Sequence, residues 1–234
     1  MFTDSVTFRT ISLVLSQAAG LGAVHHIQIE LIPNARKLIG QNEITIKADG
    51  SEVLEFRLSK RATHVEAHVN QTSREFSFNN GRLRIPLKPH ERSGELRVAI
   101  HYTAIFDDPV PIRPVNTDNP GFGVTATISE QGSFLLAGAG WYPELVDSQA
   151  TYKLTVTAPS GLIAVTAGRS LGHKINGEKT ISGWEVNYPV EGLSLSVARY
   201  LVEEKSVDDI TVATYLLPQN NHLAEAYLEA TADY

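Results

Sequence analysis

Apolar and polar residues alternate along most of the chain, from about residue 24 to residue 217. A period of two is typical of strands that bury one face. Glycine-containing turns separate the alternating segments. Asn80-Gly81 and Asn176-Gly177 favour tight hairpins, in which both central residues have positive φ. Roughly a dozen short strands that follow one another with turns between them predict an all-β fold, a large antiparallel and saddle-like β-sandwich. The clearest segments are 25–31, 43–47, 53–58, 82–87, 96–102, 152–156, 184–188 and 210–215.

The pattern changes after Pro218, where the apolar positions recur with a period near 3.6. This spacing predicts a helix, with Asn220 or Asn221 as its N-cap. A helix of this length gains little stability until its apolar face packs on another element. We therefore expect it to begin a domain that follows this chain, with contacts to that domain from the same face. The apolar positions are Leu223, Ala226, Tyr227, Ala230 and Tyr234.

The first 23 residues contain an apolar stretch, 11–23, that ends in small residues as a signal peptide does. Arg9 is its only basic neighbour, and Gln17 interrupts it. Both a docked structural segment and a cleavable signal remain open. Nowhere does the chain approach the roughly 20 apolar residues of a membrane-spanning helix. The predicted parts are thus residues 1–23, a β-sandwich at 24–217 and the helical segment at 218–234.

Composition excludes several kinds of chemistry. The 234 residues include no cysteine, which removes disulfides, thiolate zinc sites, iron–sulfur clusters and a cysteine nucleophile. Twenty Lys and Arg stand against 26 Asp and Glu, a formal net charge of −6, without a basic block. This balance argues against nucleic acid as a partner, because such partners require local excess positive charge.

The segment His64-Val65-Glu66-Ala67-His68 has two histidines at the spacing of a helical zinc motif. Its glutamate is in the wrong position, and the segment alternates as a strand does. Residues four apart on a strand are about 13 Å from each other, too far to share one ion. The sequence also contains no G-x-S-x-G, P-loop or G-x-G-x-x-G motif. We therefore assign this chain neither catalytic residues nor metal ligands.

Several segments carry motifs in a fixed order. Residues 26–33 read His-Ile-Gln-Ile-Glu-Leu-Ile-Pro, and residues 38–46 and 96–102 continue with L-x-G-x-x-x-I and L-x-V-x-x-x-Y. Residues 134–144 contain Trp141-Tyr142-Pro143, followed by Y-x-L-x-V-x-x-P at 152–159 and V-x-x-G at 165–168. Together, over residues 25–234, they resemble the N-terminal β domain of zinc aminopeptidases related to aminopeptidase N and leukotriene hydrolase.

The resemblance implies a role and partners. In this family the zinc motif H-E-x-x-H lies in the metallopeptidase domain that follows, so zinc is expected there and no cofactor in this chain. The segment from about residue 220 resembles the first helix of that domain. The function implied is a non-catalytic domain that packs on the metallopeptidase domain and walls a cleft for peptide N-termini. The parent protein would be a zinc-dependent aminopeptidase.

The resemblance also points to particular residues. Trp141, Tyr142 and Pro143 match an aromatic-proline element near the active-site domain, which implies a domain interface. Their alternative is a place in the core, because such aromatic side chains bury large areas. Glu130 and Gln131 match the neighbourhood that lends a hydrogen-bond acceptor to the peptide amine, and their alternative is a solvated loop. Glu144-Leu-Val-Asp147 replaces the family's Cys-Phe-Asp-Glu-Pro, which indicates a divergent branch.

A second function of a different class is a free-standing β-sandwich module that binds carbohydrate or a protein partner. Exposed aromatic residues on one face, such as Tyr102, Trp184 or Tyr188, would favour it.

Overall fold

The computed structural model describes residues 22–110, 123–146, 148–208 and 210–233. Most of residues 1–23, most of the proline-rich segment 106–121, and Tyr234 therefore lie outside the described residues. The strands are β1 (Ala23–Ile32), β2 (Lys37–Asp49), β3 (Val53–Arg57), β4 (Ala62–Val69), β5 (Thr72–Ser73), β6 (Ser77–Asn79), β7 (Arg82–Pro86), β8 (Ser93–Ile105), β9 (Ala126–Ile128), β10 (Ser133–Leu135), β11 (Glu144–Leu145), β12 (Ala150–Pro159), β13 (Ile163–Thr166), β14 (Arg169–Asn176), β15 (Lys179–Val190), β16 (Leu195–Ala198), β17 (Leu201–Val207) and β18 (Ile210–Leu216).

Helical structure is short. Among the described residues, three 3-10 helices occupy Pro33–Ala35, Pro89–Glu91 and Pro218–Leu223, and the α-helix α1 spans Ala224–Ala232. The strands dominate, so the all-β prediction is confirmed.

The strands of the described ranges form four sheets. The largest has eight strands in the order β14-β15-β12-β1-β2-β8-β4-β5. Two sheets of four strands follow the orders β13-β16-β10-β9 and β11-β3-β7-β6, and β17 pairs with β18 alone. β1 and β12 run parallel, with Ile27 opposite Leu154, so the large sheet is mixed where a purely antiparallel one was expected.

One continuous core joins the large sheet to both four-stranded sheets. In β1 the residues from Ala23 to Leu31 alternate strictly between buried and exposed or half-buried positions. In β2 the buried phase runs through Leu38, Gly40, Asn42, Ile44 and Ile46. This phase explains why His25 is buried while its neighbour His26 is exposed.

The predicted turns differ in detail. At Asn80-Gly81 both residues have positive φ, 48° and 80°, as expected for a tight turn between β6 and β7. At the second turn Asn176 instead ends β14 and pairs with Lys179. Positive φ there falls on Gly177, at 60°, and not on Asn176. The central residues of this turn are therefore Gly177 and Glu178, one position further along the chain than predicted.

The C-terminal helix is present, but its predicted N-cap is wrong. α1 begins at Ala224 without a side-chain cap, because the 3-10 helix containing Asn220 and Asn221 leads directly into it. The buried helix residues are Ala224 and Leu228, and the helix lies against β17 and β18. Apolar residues occur on more than one side of this helix, so the 3.6 period fits the face of Ala224 and Leu228 as well as the face of Leu223 and Tyr227.

We expect Gly81→Ala to destabilise the fold more than Gly50→Ala. Both glycines have positive φ, which L-residues adopt at a cost of about 1 kcal/mol. A Cβ at Gly81 would also lie 2.7 Å from the Leu58 carbonyl oxygen, whereas a Cβ at Gly50 meets nothing. Urea unfolding should show a loss of about 2 kcal/mol for Gly81→Ala and about 1 kcal/mol for Gly50→Ala. Equal losses would contradict the steric argument.

Candidate functional site

The aromatic-proline element Trp141-Tyr142-Pro143 lies in the core of this chain. Trp141 and Tyr142 are each 0% exposed. The indole Nε1 of Trp141 donates to the Leu193 carbonyl at 3.0 Å, and its own carbonyl accepts from the Tyr102 hydroxyl at 2.8 Å. Within this chain the two aromatic side chains therefore belong to the core, which was the alternative to a domain interface. Their contact with another domain stays a prediction.

Beside this element lies a buried polar cluster that contains His25 and Asn42. Asn42 Nδ2 lies 2.9 Å from His25 Nδ1 and donates to the Pro143 carbonyl at 3.3 Å. The His25 ring stacks on Tyr152 with centroids 5.1 Å apart and meets the Tyr142 ring edge-on at 5.9 Å. The Tyr142 hydroxyl lies 3.4 Å from that of Tyr152 and accepts from the Leu193 amide at 3.2 Å. These contacts tie the element to strands β1, β2 and β12.

Burial decides the ionisation of this cluster. Desolvation lowers the pKa of His25 to about 3, although its hydrogen bond with Asn42 acts in the opposite direction. Desolvation, reinforced by nearby Tyr152 and Glu144, raises the pKa of Tyr142 above its usual range. It likewise raises the pKa of Tyr152. At neutral pH the imidazole and both phenols are uncharged, so the cluster acts as a structural hydrogen-bond network.

Glu144 follows the element and is also buried. One carboxylate oxygen accepts from the Gly138 amide at 2.9 Å, and the other lies 3.5 Å from Arg57. Desolvation raises the pKa of Glu144 despite these two partners. The contacts fix the glycine-containing loop 136–140 against the end of β3.

The structure separates the two predicted amine-binding residues from this cluster. Glu130 and Gln131 are both exposed, in the turn that connects β9 to β10. The backbones of Ser129 and Gly132 close this turn with two hydrogen bonds. Glu130 lines a cleft of about 630 Å³, with a buried floor that includes Leu31 and Leu162. Gln131 is not part of its lining, so Glu130 is the better placed of the two for a ligand.

The predicted contact residues of the C-terminal helix remain accessible in part. Leu223 is half-buried and Tyr227 is 53% exposed. Leu201 and Ile210 of the neighbouring β17–β18 hairpin are also exposed, at 44% and 68%. This part of the surface therefore presents several apolar side chains.

The histidines at 64 and 68 lie on strand β4, as predicted. A β-bulge interrupts the pairing of β4 with β8 between Thr63 and Glu66, and His64 within it has a φ of 50°. Glu66 lies opposite His101, and with His64 they line a shallow cleft on the polar face of the large sheet. Within the described ranges, three or more histidine, aspartate or glutamate side chains nowhere come together as a metal site.

Two further observations bear on the predicted function classes. Of the aromatic residues that would favour a binding module, Tyr102 and Trp184 are buried and Tyr188 is exposed. In the part of the chain that the structure describes, every helix is too short or too polar to cross a membrane.

Sequence reasoning missed the buried polar pair His25 and Asn42. Both positions lie on the buried face of their strands, because His25 is on the same face as Ile27 and Asn42 is on the same face as Ile44. A polar residue in a buried phase requires a partner. This signal predicts that each has one, but it does not show that they are partners of each other.

Comparisons with known proteins identify the fold. No protein-family model and no curated protein matches the sequence. Solved structures do match: a mutant of a two-domain M1 zinc metallopeptidase bound to L-tryptophan has a TM-score of 0.64 at 18% identity, over 84% of this chain and 47% of the other. The M1 zinc metallopeptidase of Deinococcus radiodurans, as a mutant bound to a Tyr-Ser-Ala substrate, has a TM-score of 0.62 at 18% identity over the same shares. An L-arginine complex of a two-domain M1 enzyme matches 87% of this chain and 51% of its own.

This chain therefore has the fold of part of an M1 metallopeptidase. It spans about half the length of the solved structures that it matches.

Proposed function

We propose that this chain is the non-catalytic N-terminal β domain of a zinc aminopeptidase-like protein of the M1 type. It would pack on a metallopeptidase domain and form one wall of the substrate cleft. The observation that carries this proposal is the likeness to two-domain M1 structures, which covers 84% of this chain but only 47% of the neighbour. The remaining half of such a protein would supply the catalytic domain.

The exposed apolar residues around α1 support a partner domain. Tyr227, Leu201 and Ile210 are all large and at least 44% exposed. Complete burial of a fully exposed leucine or isoleucine stabilises by about 1.5–3 kcal/mol, so covering the exposed parts of these side chains with another domain would be favourable. Leu223 and Tyr234 are proposed to contribute to the same interface, with Trp141-Tyr142-Pro143 supporting it from the core.

The residues of this chain do not fit a zinc site, because their histidine and carboxylate groups are dispersed over the described surface. Zinc would belong to the following domain, where it would polarise the peptide carbonyl. Glu130 is proposed to accept a hydrogen bond from the peptide amine. An aminopeptidase requires such a contact to recognise chain ends.

The test begins with the coding sequence downstream of Tyr234. We expect it to encode H-E-x-x-H with a distant glutamate. The protein made with this continuation should bind about one zinc per chain and hydrolyse aminoacyl-4-nitroanilides. The 234-residue chain alone should do neither. Stoichiometric zinc or peptidase turnover in the short chain would refute the proposal, as would a continuation without the motif.

A further inference from the structure

A cleft on one side of the fold is lined by four basic side chains, although the chain as a whole carries a net charge of −6. It measures about 630 Å³, and we call it the arginine cleft. Its basic residues are Arg57, Lys60, Arg61 and Arg82, and the acidic residue in its lining is Asp108. A cluster of positive charges is unexpected in an acidic protein, and it is a feature that could bind an anion.

The loop 58–61 that forms the cleft's centre is held on both sides. The Leu58 amide donates to the Gly81 carbonyl at 2.9 Å, and the Ser59 amide donates to the Gly140 carbonyl at 2.8 Å. Within the loop the Ala62 amide donates to the Ser59 carbonyl at 2.8 Å. The loop therefore presents Lys60 and Arg61 from a fixed backbone, which lowers the entropy cost of binding.

Each arginine of the cleft is positioned by a carboxylate that does not line it. Arg57 pairs with Glu144, Arg61 with Asp107 and Arg82 with Glu55. A guanidinium has five N–H donors, and one carboxylate accepts two of them at most in a bidentate pair. Donors therefore remain on all three arginines. The charges of Arg57 and Arg61 are each balanced by one carboxylate, whereas Glu55 is shared by Arg82 and Arg84. The arginines therefore attract an anion mainly through their directed N–H donors.

Lys60 supplies a positive charge that no carboxylate balances directly. Its ammonium has no carboxylate or hydrogen-bond partner among the described residues. The Asp108 carboxylate in the lining is itself charged, and one of its oxygens accepts from Thr125 N, Thr125 Oγ1 and Ala126 N at 2.8–2.9 Å, which holds it at the edge formed by these residues. Burial alone would raise the pKa of Asp108, but these bonds and the nearby Arg61 together hold it below its usual value.

The floor of the cleft is apolar. Leu58 and Phe106 are buried there, and Leu136 and Val146 are half-buried. A ligand that fits both parts carries an oxyanion for the basic rim and an apolar group for the floor. We propose that the arginine cleft binds a small molecule of this class, an aryl or alkyl phosphate or carboxylate. This proposal is independent of the function proposed above.

Calorimetric titration of the full chain tests the proposal with phenyl phosphate, benzoate, inorganic phosphate and phenol. We expect phenyl phosphate and benzoate to bind more tightly than inorganic phosphate, which lacks the apolar group. Phenol, which lacks the oxyanion, should bind at least about tenfold more weakly than phenyl phosphate. Binding should weaken as ionic strength rises.

Variants at two exposed lysines locate the site. Lys60→Glu should weaken phenyl phosphate binding about tenfold or more, because it replaces a cation with an anion. Lys60→Arg should restore it to within about threefold, and the control Lys174→Glu on strand β14 should leave it within about twofold of the parent. Equal thermal unfolding of the variants would show that they fold.

Three results would overturn the proposal. They are wild-type affinity in Lys60→Glu, equal binding of phenol and phenyl phosphate, and no detectable phenyl phosphate binding at about 10 mM. Loss of zinc binding or peptidase activity in a longer protein would bear on the proposed function and leave this inference unaffected.

Discussion

We expect Gly40→Ala to lower the free energy of unfolding by about 3 kcal/mol, the upper end of the usual cost of overpacking. Gly40 in β2 lies directly opposite Tyr102 in β8. A Cβ added at Gly40 would lie 2.7 Å from Tyr102 Cε1, and nearer still to Cζ and Oη. The Tyr102 ring therefore occupies the space that a side chain at residue 40 would take.

The ring has little freedom to move away. Tyr102 is 2% exposed, and its hydroxyl donates to the Trp141 carbonyl at 2.8 Å. Displacing the ring would break this bond and leave a buried carbonyl without its partner, which adds to the steric cost. Gly40 thus links the strand pairing of the large sheet to the position of the aromatic-proline element.

Urea unfolding measures the effect, with Gly183→Ala as the matched control. Gly183 is also in a strand of the large sheet, but a Cβ there would lie 3.2 Å from the Leu171 Cβ, a contact that a shift of a few tenths of an ångström in the edge strand β14 relieves. We expect the control to change stability by less than about 1 kcal/mol.

A double variant separates the contact from general strand effects. In a Tyr102→Leu background, which removes the outer part of the ring, Gly40→Ala should cost much less than in the parent. The coupling should reach about 1 kcal/mol or more. Additive losses would show that the ring is not the cause.

The strands were predictable because alternation reports directly on which face of a strand is buried. Segments such as 25–31 and 96–102 lie within the observed strands β1 and β8. The partners of these strands were not predictable, since a period of two does not identify the neighbour of a strand. The parallel pairing of β1 with β12 joins residues that are more than 120 positions apart, such as Ile27 and Leu154.

The C-terminal helix shows a second kind of limit. Its position followed from the change of period after Pro218, but its packed face did not. Leu228 and Ala224 are spaced as well as Leu223 and Tyr227 for one helical face. The contact with β17 and β18 selects the first pair, and no local pattern contains that information.

Single residues of the candidate site were predictable from the sequence, but the contacts between them were not. The motif identified Trp141-Tyr142-Pro143 as a candidate, but its hydrogen-bond partners Tyr102, Asn42 and Leu193 come from distant segments. The arginine cleft has the same origin. Arg57 ends β3 opposite Arg82 at the start of β7, and the hydrogen bonds of loop 58–61 to Gly81 and Gly140 add Lys60 and Arg61 to this pair.

We expect the protein to lose stability steadily as pH falls from about 7 to about 4.5, and His25 to cause much of this loss. The pKa of His25 is lowered from 6.5 to about 3 by burial. Between these values the unfolded chain binds a proton that the folded chain does not, so acid favours unfolding. Each unit of pKa difference is worth about 1.4 kcal/mol, which predicts a loss of roughly 2.5 kcal/mol over this range.

Other shifted groups act in different windows or with the opposite sign. The pKa values of Asp49 and Asp108 are lowered, so their contribution is lost only at more acidic pH. Burial raises the pKa of Glu144, so its contribution is largest in acid and is lost as pH rises. A comparison of two variants that each replace one neighbouring histidine cancels the contributions of these other groups.

Urea unfolding of His25→Gln and His26→Gln across this pH range provides that comparison. His26 is adjacent in sequence but exposed on the opposite face of β1, so His26→Gln should retain the acid sensitivity of the parent. His25→Gln should be less stable at pH 7, because Asn42 loses its imidazole partner, yet its stability should depend much less on pH. The stability of His25→Gln plotted against pH should therefore approach or cross that of His26→Gln as pH falls. This behaviour requires that residue 25 is a buried, uncharged imidazole in the parent. A His25→Gln variant with the full parental pH dependence would instead place the titrating group elsewhere in the fold.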